Sequence, residues 1–262
     1  MKILGIDSSG MVASVAIVSD NVVIAEYTMN HKKTHSETLL PMIDEIVKTS
    51  EMKLEELDAI AIASGPGSFT GLRIGAATAK GLAMAIDKPI VPVKTCEGLA
   101  FNMWGAEGLV CPIIDARRNQ VYTGLYQVQG NVDVVMDQEP MDIHELIENI
   151  NFIASGVSSK SQLSSNSSNS KLSGERTYSR LGEPSSVTFV GDGVPIYEET
   201  IWLEIKVPCK MAPANMNRQR GASIAAYGEI LYKEGKYINA DDFAPEYLRK
   251  SQAERVKDEQ GK

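Results

Sequence analysis

The stretch Ser64-Gly65-Pro66-Gly67-Ser68-Phe69-Thr70-Gly71-Leu72-Arg73-Ile74-Gly75 has the residue types of an anion site. Glycines permit the tight turn, Ser68 or Thr70 is suited to cap a helix, and a helix N-terminus attracts negative charge. The spacing fits neither common phosphate motif. No Gly-Lys-Ser/Thr follows Gly65 at P-loop distance, and Thr70 stands where a dinucleotide fingerprint needs its third glycine. A second candidate is Asp7-Ser8-Ser9-Gly10, an acidic residue in a small polar turn, suited either to a metal–phosphate group or to an Asx turn. Asp115, at the end of the apolar run from Val110, repeats that arrangement. His31 and His35 are four apart. However, Thr34 and Glu37 form a capping box that leaves His31 outside the helix, and no third ligand is near, so no metal site is expected.

The elements that must position these residues follow from periodicity. Lys2 to Asp7, Val12 to Val18 and Val22 to Tyr27 read as strands. A helix follows Thr34, with Pro41 either kinking it or starting its main part. Leu57 to Ala63 is the strand before the glycine-rich turn, Ala76 to Ala85 lies in the helix after it, and Pro89 to Val93 is a further strand. The order β-β-β-α-β then recurs, with strands Val110 to Asp115, Gln120 to Val128 and Asn131 to Met136, a helix Ile143 to Ile150 and a short strand Phe152 to Ala154. Element order therefore predicts a duplicated α/β architecture. Later, Thr188 to Gly193 reads as strand and turn, Pro195 to Leu203 as a helix, and Arg220 to Lys233 as a helix burying Ile224, Tyr227, Ile230 and Leu231. Gly71, Gly75, Ala79 and Ala83 share one helix face, a stripe that admits a close helical neighbour from the same domain or from a partner subunit.

Composition bounds the rest. The 262 residues, 43% hydrophobic and 23% charged, suffice for one large or two ordinary domains. A net charge of −8 argues against a stand-alone nucleic-acid binder and does not exclude a subunit of a complex acting on RNA. Three scattered cysteines, Cys96, Cys111 and Cys209, suggest neither a disulfide framework nor a zinc knuckle. With no signal-peptide pattern and no membrane-span run, a cytoplasmic protein is expected. Thirteen serines fall in residues 155–186, a composition that cannot bury a core and reads as a flexible insertion.

Gly5-Ile6-Asp7-Ser8-Ser9, His35-Ser36-Glu37-x-Leu39-Leu40-Pro41, the Gly65 to Gly75 stretch, Asp115-Ala116-Arg117-Arg118-x-x-Val121-Tyr122, Val190-Gly191-Asp192-Gly193 and Pro245-x-Tyr247-Leu248-Arg249 together resemble the bacterial TsaB (YeaZ) family. The resemblance implies two duplicated lobes of the actin, hexokinase and heat-shock-ATPase (ASKHA, ribonuclease-H-like) superfamily. The first lobe would be residues 1–102, completed by about 215–250, and the second 103–214. It implies a non-catalytic subunit that acts with TsaD and TsaE in transferring a threonylcarbamoyl group to the tRNA adenosine beside the anticodon. The tRNA would be reached through the complex, and the same contact would serve TsaD or, in a homodimer of the isolated chain, a second copy, the sequence leaving monomer or homodimer open. His35, Leu39, Leu40, Ile43, Gly71, Leu72, Gly75, Ala76, Ala79, Lys80 and Ala83 would form the partner contact. No cofactor would be required by this chain; ATP or ADP with Mg at the complex interface is the nucleotide alternative, with Asp7, Ser8, Ser9, Gly65, Gly67 and Ser68 as its candidate contacts. In TsaD, metal-binding histidines lie as His-x-x-x-His; the similar stretch here places Thr95 and Leu99 there, which argues against transferase activity by this chain alone. An ATP-dependent kinase or ATPase of the same superfamily is the alternative reading. A metallopeptidase would need a His-Glu-x-x-His, which the chain lacks.

Overall fold

The apolar run at the start forms β1 (Lys2–Asp7), which lies in the middle of a five-stranded sheet. It pairs antiparallel with β2 (Val12–Ser19), Lys2 opposite Ser19, and β2 pairs in turn with β3 (Val22–Asn30). On its other side β1 runs parallel to β4 (Ala59–Gly65), and β4 to β5 (Ile90–Lys94). Helices α1 (His35–Thr49) and α2 (Phe69–Ala85) make the parallel connections and cover one face of the sheet. The computed structural model describes residues 1–31, 34–154 and 186–249. The serine-rich stretch therefore lies, but for Ser186, outside the described residues, as does the charged tail beyond Arg249.

A short helix, α3 (Thr95–Phe101), leads to the second sheet. Here β6 (Leu109–Asp115) is central, antiparallel to β7 (Gln120–Gln127) and parallel to β9 (Val187–Val190). The edges are β8 (Asp133–Asp142) and β10 (Cys209–Met211). The order β3-β2-β1-β4-β5 is thus matched by β8-β7-β6-β9-β10, so the repeat read from the sequence is present as two sheets of the same topology. Helices α4 (Ile143–Ala154) and α5 (Val194–Glu204) cover the outer face of the second sheet, while α6 (Gly221–Lys233) returns to the first and packs on β1, β2 and β4. Three apolar clusters result: one under α1 and α2, one under α4 and α5, and a central one shared by α3, α6 and both sheets.

Two local expectations are corrected. Phe152 to Ala154 is not a strand but the end of α4: Leu146, Ile147, Ile150 and Ile153 recur at helical spacing against the core, and that period overrides short-range strand propensity. The strand expected there is β9, beyond the serine-rich stretch. α1 starts at His35 after the expected Thr34 cap, the Thr34 backbone N–H donating to Glu37 Oε2 at 3.2 Å, and it runs through Pro41 and does not begin there. β8 extends to Asp142, six residues past the expected end, because it keeps pairing with β7 through two register shifts. α3 and β10, of seven and three residues, are further short elements.

Candidate interlobe site and docking surface

Asp7 closes β1 at 2% exposure. Ser9 donates to its Oδ1 from both backbone N–H (2.9 Å) and Oγ (2.6 Å), the Asx turn. Burial pushes the Asp7 carboxyl up to about 6, against the pull of the two Ser9 bonds and with a smaller push from Asp192. The glycine-rich loop sits directly on this turn. Ser68 N donates to Ser9 O at 2.6 Å, Ser8 Oγ donates to Gly71 O at 2.9 Å, and Ser68 Oγ caps α2 by accepting from Gly71 N. A Cβ at Gly67 would lie 2.3 Å from Ser9 O, and one at Gly65, where φ is +125°, 2.3 Å from Glu246 O. The structure therefore brings Asp7, Ser8, Ser9, Gly65, Gly67 and Ser68 together, but against each other. The glycines there admit the chain's own backbone.

The expected partner face needs correction. Ala79 and Ala83 are fully buried, and Leu39, Ile43, Leu72 and Ala76 are buried with them in the cluster under α1 and α2. Gly71 and Gly75 face the Ser8 turn, where a Cβ would lie 2.1 Å from Ser8 O and 2.2 Å from Ser8 Oγ respectively. The small-residue stripe thus serves close packing within the first lobe. His35 Nε2 donates to Gly10 O at 2.8 Å, and Lys80 Nζ donates to Asp241 O and Phe243 O. Of the eleven residues, Leu40 is the large apolar side chain that stays outside, 56% exposed. Around it, Pro41, Ile43, Asp44, Val47, Leu54 and Leu82 line a shallow apolar groove between the helices, and Met84 stands exposed on α2. The missed signal was the second small-residue row of α2, Ala77, Gly81 and Ala85, which is the exposed one.

The second lobe presents the matching turn. Asp115 Oδ1 accepts from Arg117 N (2.9 Å) and from Tyr197 OH (3.1 Å), and Asp115 N donates to Asp192 Oδ1 at 3.4 Å. Burial raises the Asp192 carboxyl, with Arg218 opposing. Gln219, at 1% exposure, packs its amide against Gly10 without a hydrogen-bond partner. Among the described residues no three His, Cys, Asp or Glu side chains are grouped to hold a metal. Thr95 and Leu99 sit one turn apart on α3, and both are buried in the protein interior. Between them Glu97 accepts from Tyr227 OH at 2.9 Å, and burial raises its carboxyl.

Residues 243–249 tie these parts together. Glu246 N donates to Ser64 O, Gln138 Nε2 bridges Gly65 O and Glu246 Oε2, and Arg249 Nη1 donates to Ala116 O at 3.2 Å. The Arg73 guanidinium lies 3.9 Å over the Phe69 ring, and its Nε donates to Tyr247 OH.

Two sheets of one topology, each with an Asp closing its first strand, define a duplicated two-lobed α/β fold. A family model for TsaD, the tRNA N6-adenosine threonylcarbamoyltransferase, matches residues 22–257, and the chain belongs to this family, with its similarity running to the TsaB members. It is 44% identical over 143 residues to the tRNA threonylcarbamoyladenosine biosynthesis protein TsaB of Bacillus subtilis, covering 54% of this chain and 62% of that one. With the TsaB of Buchnera aphidicola from Acyrthosiphon pisum it shares 32% over 169 residues, 62% of this chain and 76% of the other. The alignments to the B. subtilis and Escherichia coli proteins thus span 62% and 57% of those relatives, less than two thirds. YeaZ from Pseudomonas aeruginosa shares the fold at a TM-score of 0.69 and 22% identity, over 94% of this chain and 99% of that one. Among the described residues no helix is long and apolar enough to cross a membrane.

Proposed function

We propose that this chain is a non-catalytic partner subunit for threonylcarbamoyl transfer to tRNA, docking on TsaD and working with TsaE. The observation that carries the reading is the apolar surface left by α1 and α2. Leu40 is 56% exposed at a groove lined by Pro41, Val47 and Leu82, the kind of patch that marks a protein contact, and Met84 is 57% exposed elsewhere on α2. The names of the similar relatives support the pathway. Burial of Thr95 and Leu99 supports the non-catalytic part, since neither side chain brings an imidazole to a metal. The isolated chain would use the same surface for self-association. Any ATP or ADP with Mg would sit at the complex interface and not be required by this chain.

Co-expression with TsaD and TsaE tests the reading, with co-purification and the threonylcarbamoyladenosine content of tRNA as readouts. Leu40→Asp combined with Met84→Asp should abolish co-purification while circular dichroism of the isolated chain is unchanged. A folded double variant that still captures TsaD normally would sink the assignment. Calorimetry with ATP and Mg on the isolated chain separates the kinase or ATPase alternative, which requires binding and turnover without a partner.

A further inference from the structure

The tip of the β6–β7 hairpin carries side chains that the fold does not use. Arg117, Arg118 and Asn119 have φ of 63°, 58° and 59°, three successive non-glycine residues in the left-handed region. That conformation is unfavourable for an L-residue with a long side chain. Other hairpins here solve the same problem with tolerant residues: Asp20 and Asn21 between β2 and β3, and Gly130 between β7 and β8. A turn that only joined two strands would place glycine or asparagine where Arg117 and Arg118 stand.

The turn is nonetheless firmly held. Arg117 N donates to Asp115 Oδ1, Ala116 N to Gln120 O, Gln120 N to Arg117 O and Ile143 N to Asn119 O. Arg249, from the far end of the described chain, donates to Ala116 O and brings a third guanidinium to the same place. Both Arg117 and Arg118 are exposed, and neither has an ion-pair partner among the described residues. In a chain of net charge −8, this is a preorganised cationic tip with its forks free. Guanidinium forks match phosphate oxygens, and a rigid turn loses little entropy on binding them. The Asp115 carboxylate accepts from Arg117 N at the base of the tip, and negative charge there disfavours phosphate at the base. That favours a strand passing over the outside.

We propose that Arg117, Arg118 and Arg249 bind the phosphodiester backbone of an RNA strand, so that this chain itself grips the substrate RNA. The identity of the polyanion as RNA rests on the function proposed above. The test is fluorescence anisotropy with an unmodified tRNA transcript, on the full chain and on its co-expressed complex. The variant is Arg117→Asn with Arg118→Asn, since asparagine tolerates the left-handed turn. Removing two phosphate contacts should weaken binding about tenfold and lower the slope of log K against log salt by roughly 1.5 between about 50 and about 200 mM. Arg117→Lys with Arg118→Lys should restore most of the salt slope. Unchanged affinity and slope in the asparagine variant, or no binding by the wild type at the lower salt, overturns the proposal. So does a variant that loses only ATP binding while tRNA affinity is kept. Co-purification with TsaD is scored separately: normal assembly with unaffected tRNA binding by the variant sinks this inference alone, whereas failed assembly of the wild-type chain sinks the partner reading and leaves the isolated-chain titration to decide on the tip.

Discussion

The turns after Asp7 and Asp115 stand at the same place in two sheets of one topology, and both begin with the same Asx hydrogen bond at 2.9 Å. In the first lobe the start of α2 lies on the turn, held by Ser68 N to Ser9 O and Ser8 Oγ to Gly71 O, and Asp7 is sealed in. In the second lobe, among the described residues, nothing comparable covers Arg117 and Arg118, which stand exposed. One copy of a duplicated turn has become internal packing, and the other has stayed open to solvent. Duplication preserved the backbone device while the coverage diverged, so residue type at the turn follows from what covers it.

The largest way to break this contrast is to force the covered turn open. Gly75→Leu places atoms 2.2 Å from Ser8 Oγ and should destabilise by about 3 kcal/mol or more in urea unfolding. Ala79→Leu should behave likewise, so these two changes unfold the lobe and do not merely block a partner, as the sequence alone suggested. Gly81→Ala, on the open row of α2, should instead stabilise by about 1 kcal/mol.

A smaller effect separates the turns by pH. The folded Asp7 carboxyl is raised from 3.8 to about 6, so its contribution is present below about pH 4 and is lost as pH rises through about 6. Asp7→Asn removes that loss and should stabilise the protein near pH 7 by up to about 3 kcal/mol, an upper limit set by about two pKa units. Unfolding curves at pH 4 and 7 that shift equally in both proteins would contradict this. Next, Tyr197→Phe removes the hydroxyl that steadies Asp115 and should cost about 1 kcal/mol in thermal unfolding. Smallest, Arg118→Gly relieves a left-handed φ of 58° and should raise stability by roughly 0.5 kcal/mol. A clear loss there would mean that the arginine is held by contacts within the fold.

Much of the fold was legible because strand runs and turns are local. β1 to β3, α1, β4 and α2 lie close to their expected places, and the Asp-closed strands disclosed the repeat. The remainder depended on distance. β9 is separated from α4 by the serine-rich stretch, so in the sequence Phe152 to Ala154 is the nearest run that resembles a pairing strand. β10 has three residues and α3 has seven, too few for a period to show. On α2, the rows 71/75/79/83 and 77/81/85 carry the same spacing of small residues, and only the position of the sheet distinguishes inward from outward. Gln138 and Glu246, which close the Gly65 loop, come from 73 and 108 residues away from their partners or from each other, beyond any local pattern.

Packing of α6 on β1, β2 and β4 sets the order in which the chain can mature on the ribosome. The five strands of the first lobe emerge early, yet Ile224 and Ala225, which share a core with Ile3 and Ala61, are made more than a hundred residues after β5. Through that interval the face of the nascent sheet that α6 will cover has, among the described helices, only α3 packed on it. A premature stop just before Gly221 would therefore cripple the lobe synthesised first and spare the sheet of the one synthesised last.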